Sequence, residues 1–417
     1  MSQVANMPVK SILVMITLAL IAALPGCDGG LRNENGASGV RPGLEVFLAS
    51  PPEQVLQERV GLITNQTGID RERRRNIDLL AARQDFDLVT LFAFEHGLRG
   101  EAPPGEKIVS DVDPSTGLPV YSLYGEVRKP TPEMLADIDV LIYDVQDVGA
   151  RPYTRVSTMA LSMQAAAEAG IPFVLLDRPN PLGGLHVEGG RLDTAFSSFV
   201  GMYPIPLRHG MTLGELARMY NTEFIIDADL TVVPMRGWRR AMWHDATGLP
   251  WVSTSPNIRS LDAATHYPGM VLLEGTNLSE GRGTDLPFEQ TGAPWLRNVE
   301  VVDSLNAKGL PGVRFEAVQF EVDADARKYS GESLPGIRFM LTDRDAYRPV
   351  STALLLIDTI RRLHDDEFEW GPSIDRLAGT NRVRRSIDEG VLHLLLKDWE
   401  EDAELFRRER EPYLMYE

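Results

Sequence analysis

Cysteine is almost absent from this chain of 417 residues, which contains only Cys27. A single cysteine permits neither an intramolecular disulfide nor a Cys-ligated zinc site, and it leaves no thiol nucleophile elsewhere in the chain. Basic residues are also in deficit, because 42 Lys and Arg stand against 60 Asp and Glu and give a net charge of −18. Proteins that bind nucleic acid or anionic lipid surfaces concentrate Lys and Arg, so this composition argues against both partners.

Several catalytic signatures are missing as well. The sequence has no G-x-S-x-G elbow, no phosphate-binding P-loop and no H-E-x-x-H zinc motif. Its seven histidines are scattered without a close pair, so no histidine-based metal site is expected. The short Gly281-Arg282-Gly283 segment is not a dinucleotide fingerprint. We therefore expect neither a metal nor a cofactor.

The N-terminal segment has the pattern of an export signal. Lys10 precedes an apolar run over 11–24 that ends in Leu24-Pro25-Gly26-Cys27. A basic start, a short apolar stretch and small residues before a cleavage point are typical of a signal peptide, and the run is too short to span a bilayer comfortably. Its ending resembles the lipobox of bacterial lipoproteins, with Pro25 as an unusual residue at its place. The alternative is that Cys27 merely lies near a signal cleavage point.

This pattern predicts a signal peptide over 1–26 and a flexible tether over 27–43, which is rich in Gly, Asn and Ser. The mature protein is then exported and held by a lipid on Cys27 at the periplasmic or cell-surface side of a bacterial membrane. No other contact with the membrane is expected.

Four short segments read as buried β-strands that run directly into polar residues. They cover 60–66, 88–96, 140–147 and 173–180. Continuous apolar runs are typical of strands covered by helices on both faces, and ligands in open α/β sheets bind beyond the carboxyl ends of the strands. The sequence therefore predicts a polar cleft along one sheet edge, lined by Asn65, Glu95, His96, Asp144, Asp147, Asp177 and Asn180.

Helical stretches alternate with these strands and indicate a mostly parallel sheet over 44–225. Thr131 and Thr212 are predicted N-caps, the latter in a capping box with Glu215, and Gly170 is a predicted C-cap. A further strand is predicted at 230–234. We expect residues 226–296 to form a loop-rich bridge that contributes to the cleft, and 297–417 to form a smaller α/β domain.

Glu95 is the strongest candidate for chemistry, because a hydrophobic strand delivers it into a wall of apolar and aromatic residues. Such a wall favours a protonated carboxyl, as a general acid needs. His96 and Arg99 would tune that acid or bind substrate. The alternative is a structural glutamate paired with Arg99 at a strand end.

The segment after the third strand combines groups that bind sugars. Asp144, Gln146 and Asp147 are followed by Arg151 and Tyr153. Carboxylates and amides hold sugar hydroxyls, and an aromatic face covers a sugar ring. The alternative is that Asp144 caps the next helix and pairs with Arg151.

Two loops complete the candidate site. The loop that contains Asp177 and Asn180 has two prolines and two glycines, so rigidity alone would also explain it. The loop over 274–284 is rich in Gly, Asn, Ser, Thr and charge, which suits a loop that wraps a polar ligand. A solvated surface loop is the alternative for the second.

Together these segments resemble the bacterial exo-β-N-acetylmuramidases of the NamZ type, over nearly the whole mature chain. The matching segments are GLITN at 61–65, EHGLRG at 95–100, DVQDVGAR at 144–151, DRPNP at 177–181 and EGTNLSEGRGT at 274–284. The resemblance implies a Rossmann-like catalytic domain, a smaller C-terminal α/β domain and a cleft between them. It also implies release of N-acetylmuramic acid from the non-reducing end of peptidoglycan fragments, with Glu95 at the position of the family's proposed catalytic glutamate.

Glycosidases generally use two carboxylates, so Glu95 needs a partner. Asp144, Asp147, Glu274 and Glu280 remain open, with Asp147 and Glu280 assigned as catalytic candidates. Arg151 or Arg282 would pair with the lactyl carboxylate, because Arg presents a bidentate fork, and Asn277 would add a substrate contact. The competing hypothesis is a lipid-tethered muropeptide- or sugar-binding protein that has lost catalysis.

Overall fold

The structure is a computed structural model that describes residues 39–95, 97–100 and 111–417. The predicted signal peptide, Cys27 and His96 lie outside the described residues. Residues from Gly39 to Glu417 pack as one compact unit.

The first sheet has seven strands and confirms the prediction of a mostly parallel α/β fold. Its strand order is β3-β4-β2-β1-β5-β6-β7, and only the β3–β4 pair is antiparallel. The strands are β1 (Arg59–Thr64), β2 (Asp87–Ala93), β3 (Asp111–Val112), β4 (Pro119–Ser122), β5 (Val140–Asp144), β6 (Phe173–Leu176) and β7 (Leu230–Val233).

The second sheet has three antiparallel strands in the order β8-β10-β9. They are β8 (Gln290–Gly292), β9 (Val313–Glu321) and β10 (Ser333–Leu341). Burial alternates along the first half of β9, which is the pattern of a strand with one face on the core. This sheet and the helices around it form a second α/β region, and its first strand, β8, lies before the boundary predicted at residue 297.

Eleven α-helices occur in the described part of the chain. They are α1 (Gly43–Ala49), α2 (Asn76–Ala81), α3 (Pro132–Leu135), α4 (Arg155–Ala169), α5 (Leu213–Glu223), α6 (Leu261–Met270), α7 (Asn298–Ala307), α8 (Pro349–Leu363), α9 (Ile374–Ala378), α10 (Arg382–Asp388) and α11 (Leu392–Glu409). None of the described helices is both long and apolar enough to cross a membrane.

Local capping explains where three of these helices begin or end. The Thr131 hydroxyl accepts from the Met134 amide at the start of α3. Thr212 and Glu215 form the predicted capping box of α5, and Gly170 ends α4 with a left-handed φ of 67°. The threonine side chains accept hydrogen bonds from backbone amides that have no partner within the helix, and Gly170 adopts the left-handed conformation that ends one.

Helices cover both faces of the first sheet, as its continuous apolar strands require. One face packs against α4 and α5 through a cluster that includes Ile63, Leu141 and Leu216. The other packs against α1 and α2 through Leu44, Leu62 and other buried residues. A third cluster joins segments around 148–207 to the helices and the second sheet of the C-terminal half.

One element departs from the expectation of a bridge with few regular elements over 226–296. Residues Leu261–Met270 form helix α6, although Pro268 and Gly269 lie inside it. A Cβ on Gly269 would collide with the backbone carbonyl oxygen of Pro349 at the start of α8. The glycine is therefore needed for the close approach of two helices, which a search for apolar periodicity does not detect.

Residues 415–417 return to the first sheet. The Tyr416 hydroxyl donates to Asp177 Oδ2 at 2.6 Å, and the Met415 amide donates to Glu215 Oε1 at 2.9 Å. The Arg240 amide donates to the Glu417 carbonyl at 2.6 Å. Buried polar groups beside β6 are thus satisfied by a segment that follows α11.

Candidate functional site

The strand order brings the predicted polar residues to one edge of the first sheet. Strands β2, β1, β5 and β6 are consecutive neighbours, so the segments that carry Glu95, Asn65, Asp147 and Asp177 leave the sheet side by side. Adjacent strands lie about 4.8 Å apart, which places the ends of β2 and β5 about 10 Å from each other. This spacing allows a substrate to lie between groups that follow the two strands.

Glu95 is half-buried and has a defined hydrogen-bond partner. The Tyr124 hydroxyl donates to Glu95 Oε1 at 3.0 Å. Phe94, which precedes it, is buried, and the Arg155 guanidinium lies 4.1 Å from the centre of its ring. No ion pair joins Glu95 and Arg99 in the described segments, and Arg99 is exposed. The structure therefore does not support a glutamate held by Arg99.

Tyr267 on α6 connects this strand edge to the loop over 274–284. Its ring meets Tyr153 edge-on at 5.7 Å and Phe288 edge-on at 4.9 Å. Burial raises the pKa of Tyr267 well above its usual value, and the negative charges of Glu274 and Glu95 raise it further. The Arg282 guanidinium lies 4.9 Å from the centre of the Phe288 ring, so these ring contacts link the segment after β5 to the 274–284 loop.

A chain of ion pairs braces the 274–284 loop. Arg282 pairs with Glu274 at 2.7 Å and with Glu280 at 3.3 Å, and Lys328 Nζ lies 3.0 Å from Glu280. Lys328 also donates to three backbone carbonyls at positions 273, 276 and 278. The loop is thus an ordered, largely buried element, which rules out the alternative of a solvated surface loop.

The members of this network differ in how far they reach solvent. The Glu274 and Arg282 side chains are 30% and 31% exposed, whereas Glu280 is 6% exposed and bonded to two cations. Asn277 points elsewhere, because its amide group bonds the Glu367 carbonyl and the Glu369 amide. Of the loop's predicted site residues, Glu274 and Arg282 are the ones available to a substrate.

Asp144 does not serve the predicted substrate contact. Its two oxygens accept from Arg178 Nε at 2.6 Å and Nη2 at 2.9 Å, and Asn76 donates to Oδ2 at 2.7 Å. The carboxylate is fully buried. It is a structural group, and its partner is Arg178 rather than Arg151.

Arg151 is likewise not placed in the cleft. The buried guanidinium donates to the carbonyls of residues 190, 205, 377 and 378. These bonds join the first-sheet region to α9. This geometry does not favour Arg151 as the partner of a substrate carboxylate, and Arg282, whose side chain is 31% exposed, is the better placed of the two predicted arginines.

Asp177 and Asn180 also have structural partners. Asp177 accepts from the Arg178 and Gly214 amides and from two hydroxyls, and burial raises its pKa to about 7. Asn180 bonds the Met211 carbonyl and the Leu182 amide. Rigidity of the loop, the alternative interpretation, accounts for both residues.

Asn65 and Tyr153 lie at the strand edge with much of their surface covered. Asn65 Oδ1 accepts from the amide and hydroxyl of Thr67, while its Nδ2 is buried and has no partner among the described residues. Tyr153 lies against Tyr267 and 5.3 Å from the Arg155 guanidinium. The Arg155 guanidinium connects Tyr153 to Phe94, the residue before Glu95.

Asp147 is the other carboxylate at this edge. Its Oδ2 accepts from the Gly149 amide at 2.7 Å, and its Oδ1 has no partner within the described segments. Burial raises the pKa of Asp147 to about 7. A carboxyl in this range exchanges its proton near neutral pH, as an acid or base in catalysis must.

His209 lies beside Asp147 and was not predicted. Its Nε2 is 3.8 Å from Asp147 Oδ2, and the Met211 amide donates to its Nδ1. Burial lowers the pKa of His209 to about 3, so the ring is neutral and its proton lies on Nε2, facing Asp147. The segment around His209 has no periodic pattern that would have identified it.

Sequence reasoning also missed Tyr124, Arg155 and Tyr267. Arg155 opens α4 and donates to the Thr254 carbonyl at 3.2 Å. Tyr124 follows the short strand β4 just as Glu95 follows β2. The sequence contains this similarity, but only the pairing of β2 with β4 shows that the two residues lie side by side. In the part of the chain that is described, no three His, Cys, Asp or Glu side chains could hold a metal ion.

Comparison with known proteins identifies the family of the chain. The family model "Exo-beta-N-acetylmuramidase NamZ, N-terminal" matches residues 60–262, and the corresponding C-terminal model matches 265–416. The peptidoglycan β-N-acetylmuramidase NamZ of Bacillus subtilis (strain 168) is 46% identical over 380 residues, which are 90% of this chain and 91% of that protein.

Two crystal structures of DUF1343 family proteins from Bacteroides fragilis NCTC 9343 share the fold. One has a TM-score of 0.85 at 36% identity and covers 91% of this chain and all of its own. The other has a TM-score of 0.74 at 31% identity, with 91% and 99% covered. Since both family models match and together span most of its length, the chain belongs to the NamZ family of exo-β-N-acetylmuramidases.

Proposed function

We propose that this protein is an exo-acting glycoside hydrolase that releases N-acetylmuramic acid from the non-reducing end of peptidoglycan fragments. The observation that carries the proposal is the position of Glu95. It is a half-buried carboxyl beyond the carboxyl end of the central strand β2, and it accepts a hydrogen bond from the Tyr124 hydroxyl. Membership of the NamZ family supplies the substrate class.

Glu95 acts as the general acid, or as the acid/base, of this reaction. The glycosidic bond at C1 breaks, its electron pair leaves with the bridging oxygen, and that oxygen takes the proton of Glu95. In the inverting and retaining routes alike, water finally supplies the hydroxyl at C1, and a second carboxylate assists as base or nucleophile.

Asp147 and Glu274 are the structure's two candidates for the second carboxylate. Glu280 is less suitable, because Lys328 and Arg282 already neutralise it. Asp147 has an unpartnered oxygen among the described residues, and the Glu274 side chain is 30% exposed. Carboxyl separations of about 5–5.5 Å predict retention and about 6.5–9.5 Å inversion, so a complex with substrate would decide the outcome.

Arg282 is proposed to receive the lactyl carboxylate of the sugar. It is partly exposed, and the Glu274–Arg282–Glu280 pairing holds its guanidinium in place. Burial acts to lower the pKa of Arg282, but Glu274 and Glu280 raise it above its usual value, so its charge is permanent. An arginine held in this way offers a planar donor pair to a carboxylate.

A pair of chromogenic substrates tests the activity directly. We expect the protein to cleave a nitrophenyl β-N-acetylmuramide much faster than the matching β-N-acetylglucosaminide, because only the first carries the lactyl carboxylate. Release of nitrophenolate measures both rates. Cleavage of neither substrate would contradict the proposal, and calorimetric binding of an intact muramide would then favour the sugar-binding lipoprotein.

We further propose that the protein is exported and held at a bacterial membrane by a lipid on Cys27. The support is the sequence pattern before Cys27, which lies outside the described residues. Cys27→Ala is expected to move the protein from the membrane fraction to the soluble fraction when it is expressed in a lipoprotein-processing bacterium. Immunoblotting of the two fractions measures this shift. A variant that stays in the membrane fraction would contradict the anchor.

A further inference from the structure

The backbone places Tyr124 and Glu95 in equivalent positions on paired strands. Ala93 and Ser122 are the last residue pair of the parallel β2–β4 ladder, and the Leu123 amide continues it by donating to the Ala93 carbonyl at 2.7 Å. Glu95 and Tyr124 each lie two residues beyond that pair. The contact between them is therefore fixed by strand register rather than by chance proximity.

A second bond holds the turn that carries the tyrosine. The Tyr124 amide donates to the Ser122 hydroxyl at 3.3 Å, so the chain turns immediately after β4. The Tyr124 hydroxyl then donates to Glu95 Oε1 at 3.0 Å. In the described ranges Tyr124 is the sole hydrogen-bond partner of this carboxyl, and both side chains are half-buried.

We propose that Tyr124 is a positioning residue that fixes the Glu95 side chain and directs its acidic proton to Oε2. An oxygen that accepts the tyrosine O–H is the carbonyl oxygen of the protonated carboxyl, so the proton resides on the other oxygen. The inference rests on Glu95 being the general acid of the proposed hydrolysis. In that step Oε2 gives its proton to the bridging oxygen as the bond to C1 breaks and its electron pair leaves with that oxygen.

This role predicts a loss in turnover rather than in binding. Without the Tyr124 hydroxyl, the Glu95 carboxyl rotates between several orientations. The acidic proton then points at the bridging oxygen in only a fraction of the enzyme–substrate complexes. A hydrogen bond to a charged or charge-developing group is typically worth a factor of about ten or more. The penalty should depend on how much the leaving group needs the proton.

The test compares Tyr124→Phe with Tyr121→Phe. Tyr121 lies on β4 and packs against Phe92, so its variant removes a tyrosine hydroxyl three residues before Tyr124 and leaves the Tyr124–Glu95 hydrogen bond in place. For Tyr124→Phe we expect kcat on a natural muramyl disaccharide to fall about tenfold or more, with KM changed by less than about twofold. The loss should be several-fold smaller on the nitrophenyl muramide, while Tyr121→Phe keeps wild-type values and both variants keep the wild-type thermal midpoint.

The outcomes separate this inference from the proposed function. Wild-type kcat for Tyr124→Phe on the disaccharide would overturn it, and so would an equal loss on both leaving groups. If Tyr124→Phe gives either of these results while Glu95→Gln is inactive in the same experiment, only the role of Tyr124 is overturned. A fully active Glu95→Gln enzyme would overturn the role of Glu95 and this inference with it.

Discussion

Glu95→Gln is expected to lose at least about a hundredfold in turnover, because general acid–base assistance is typically worth about 10²–10⁴-fold. Gln keeps the volume of the side chain and still accepts a hydrogen bond from Tyr124, but it has no acidic proton. The variant should therefore fold with near-normal thermal stability and bind the sugar. Steady-state kinetics on a muramyl disaccharide, with calorimetry for binding, measure both properties.

The size of the loss should depend on the substrate. A nitrophenolate leaves without much help from a proton, so the rate loss of Glu95→Gln should shrink on that substrate. His96→Ala should cost less than Glu95→Gln, because we assign His96 to tuning or binding. Wild-type turnover by Glu95→Gln on the disaccharide would show that the acid is another residue, and Asp147 or Glu274 would be tested next.

Arg178→Met is expected to destabilise the fold by about 3–5 kcal/mol, the usual result of removing one partner of a buried ion pair. Arg178 makes two bonds to the fully buried Asp144 and a third to the Ile69 carbonyl. Its loss leaves a carboxylate in the core with Asn76 as its remaining side-chain partner there. Urea unfolding monitored by circular dichroism would give the change in free energy of unfolding.

The matched control is Arg382→Met. Arg382 pairs with Asp398 on the surface, where the two side chains are 52% and 54% exposed. Exposed pairs contribute about 0–1 kcal/mol, so this variant should unfold almost as the wild type does. Equal free energies for the two variants would contradict the structural role assigned to the Asp144–Arg178 pair.

Those parts of the fold that depend on local sequence were predictable. The apolar strands β1, β2, β5 and β6 are buried on both faces, and the side chains that follow them were placed at one edge without knowledge of strand order. The capping box at Thr212 needs only residues three apart. Each of these signals lies within a few neighbouring residues, so one sequence contains it.

The partners of Asp144 and Glu95 were not predictable, because they lie far away in sequence. Asp144 pairs with Arg178, 34 residues later, and not with the nearer Arg151. Tyr124 became visible only through the β2–β4 register, since β4 has four residues and gives a weak pattern. For both Asp144 and Glu95, the sequence contains several possible hydrogen-bond partners, and only the folded structure shows which one is used.

The return of residues 415–417 to β6 has a consequence for how the chain acquires its structure. The bond from Tyr416 to Asp177 joins groups 239 residues apart, and that from Met415 to Glu215 joins groups 200 apart. Contacts of such long sequence separation impose a large loop-closure entropy and slow folding. While the chain is being synthesised, Asp177 and Glu215 stay without their final donors, so the region around β6 and α5 reaches its native state only after residues 415 and 416 are available.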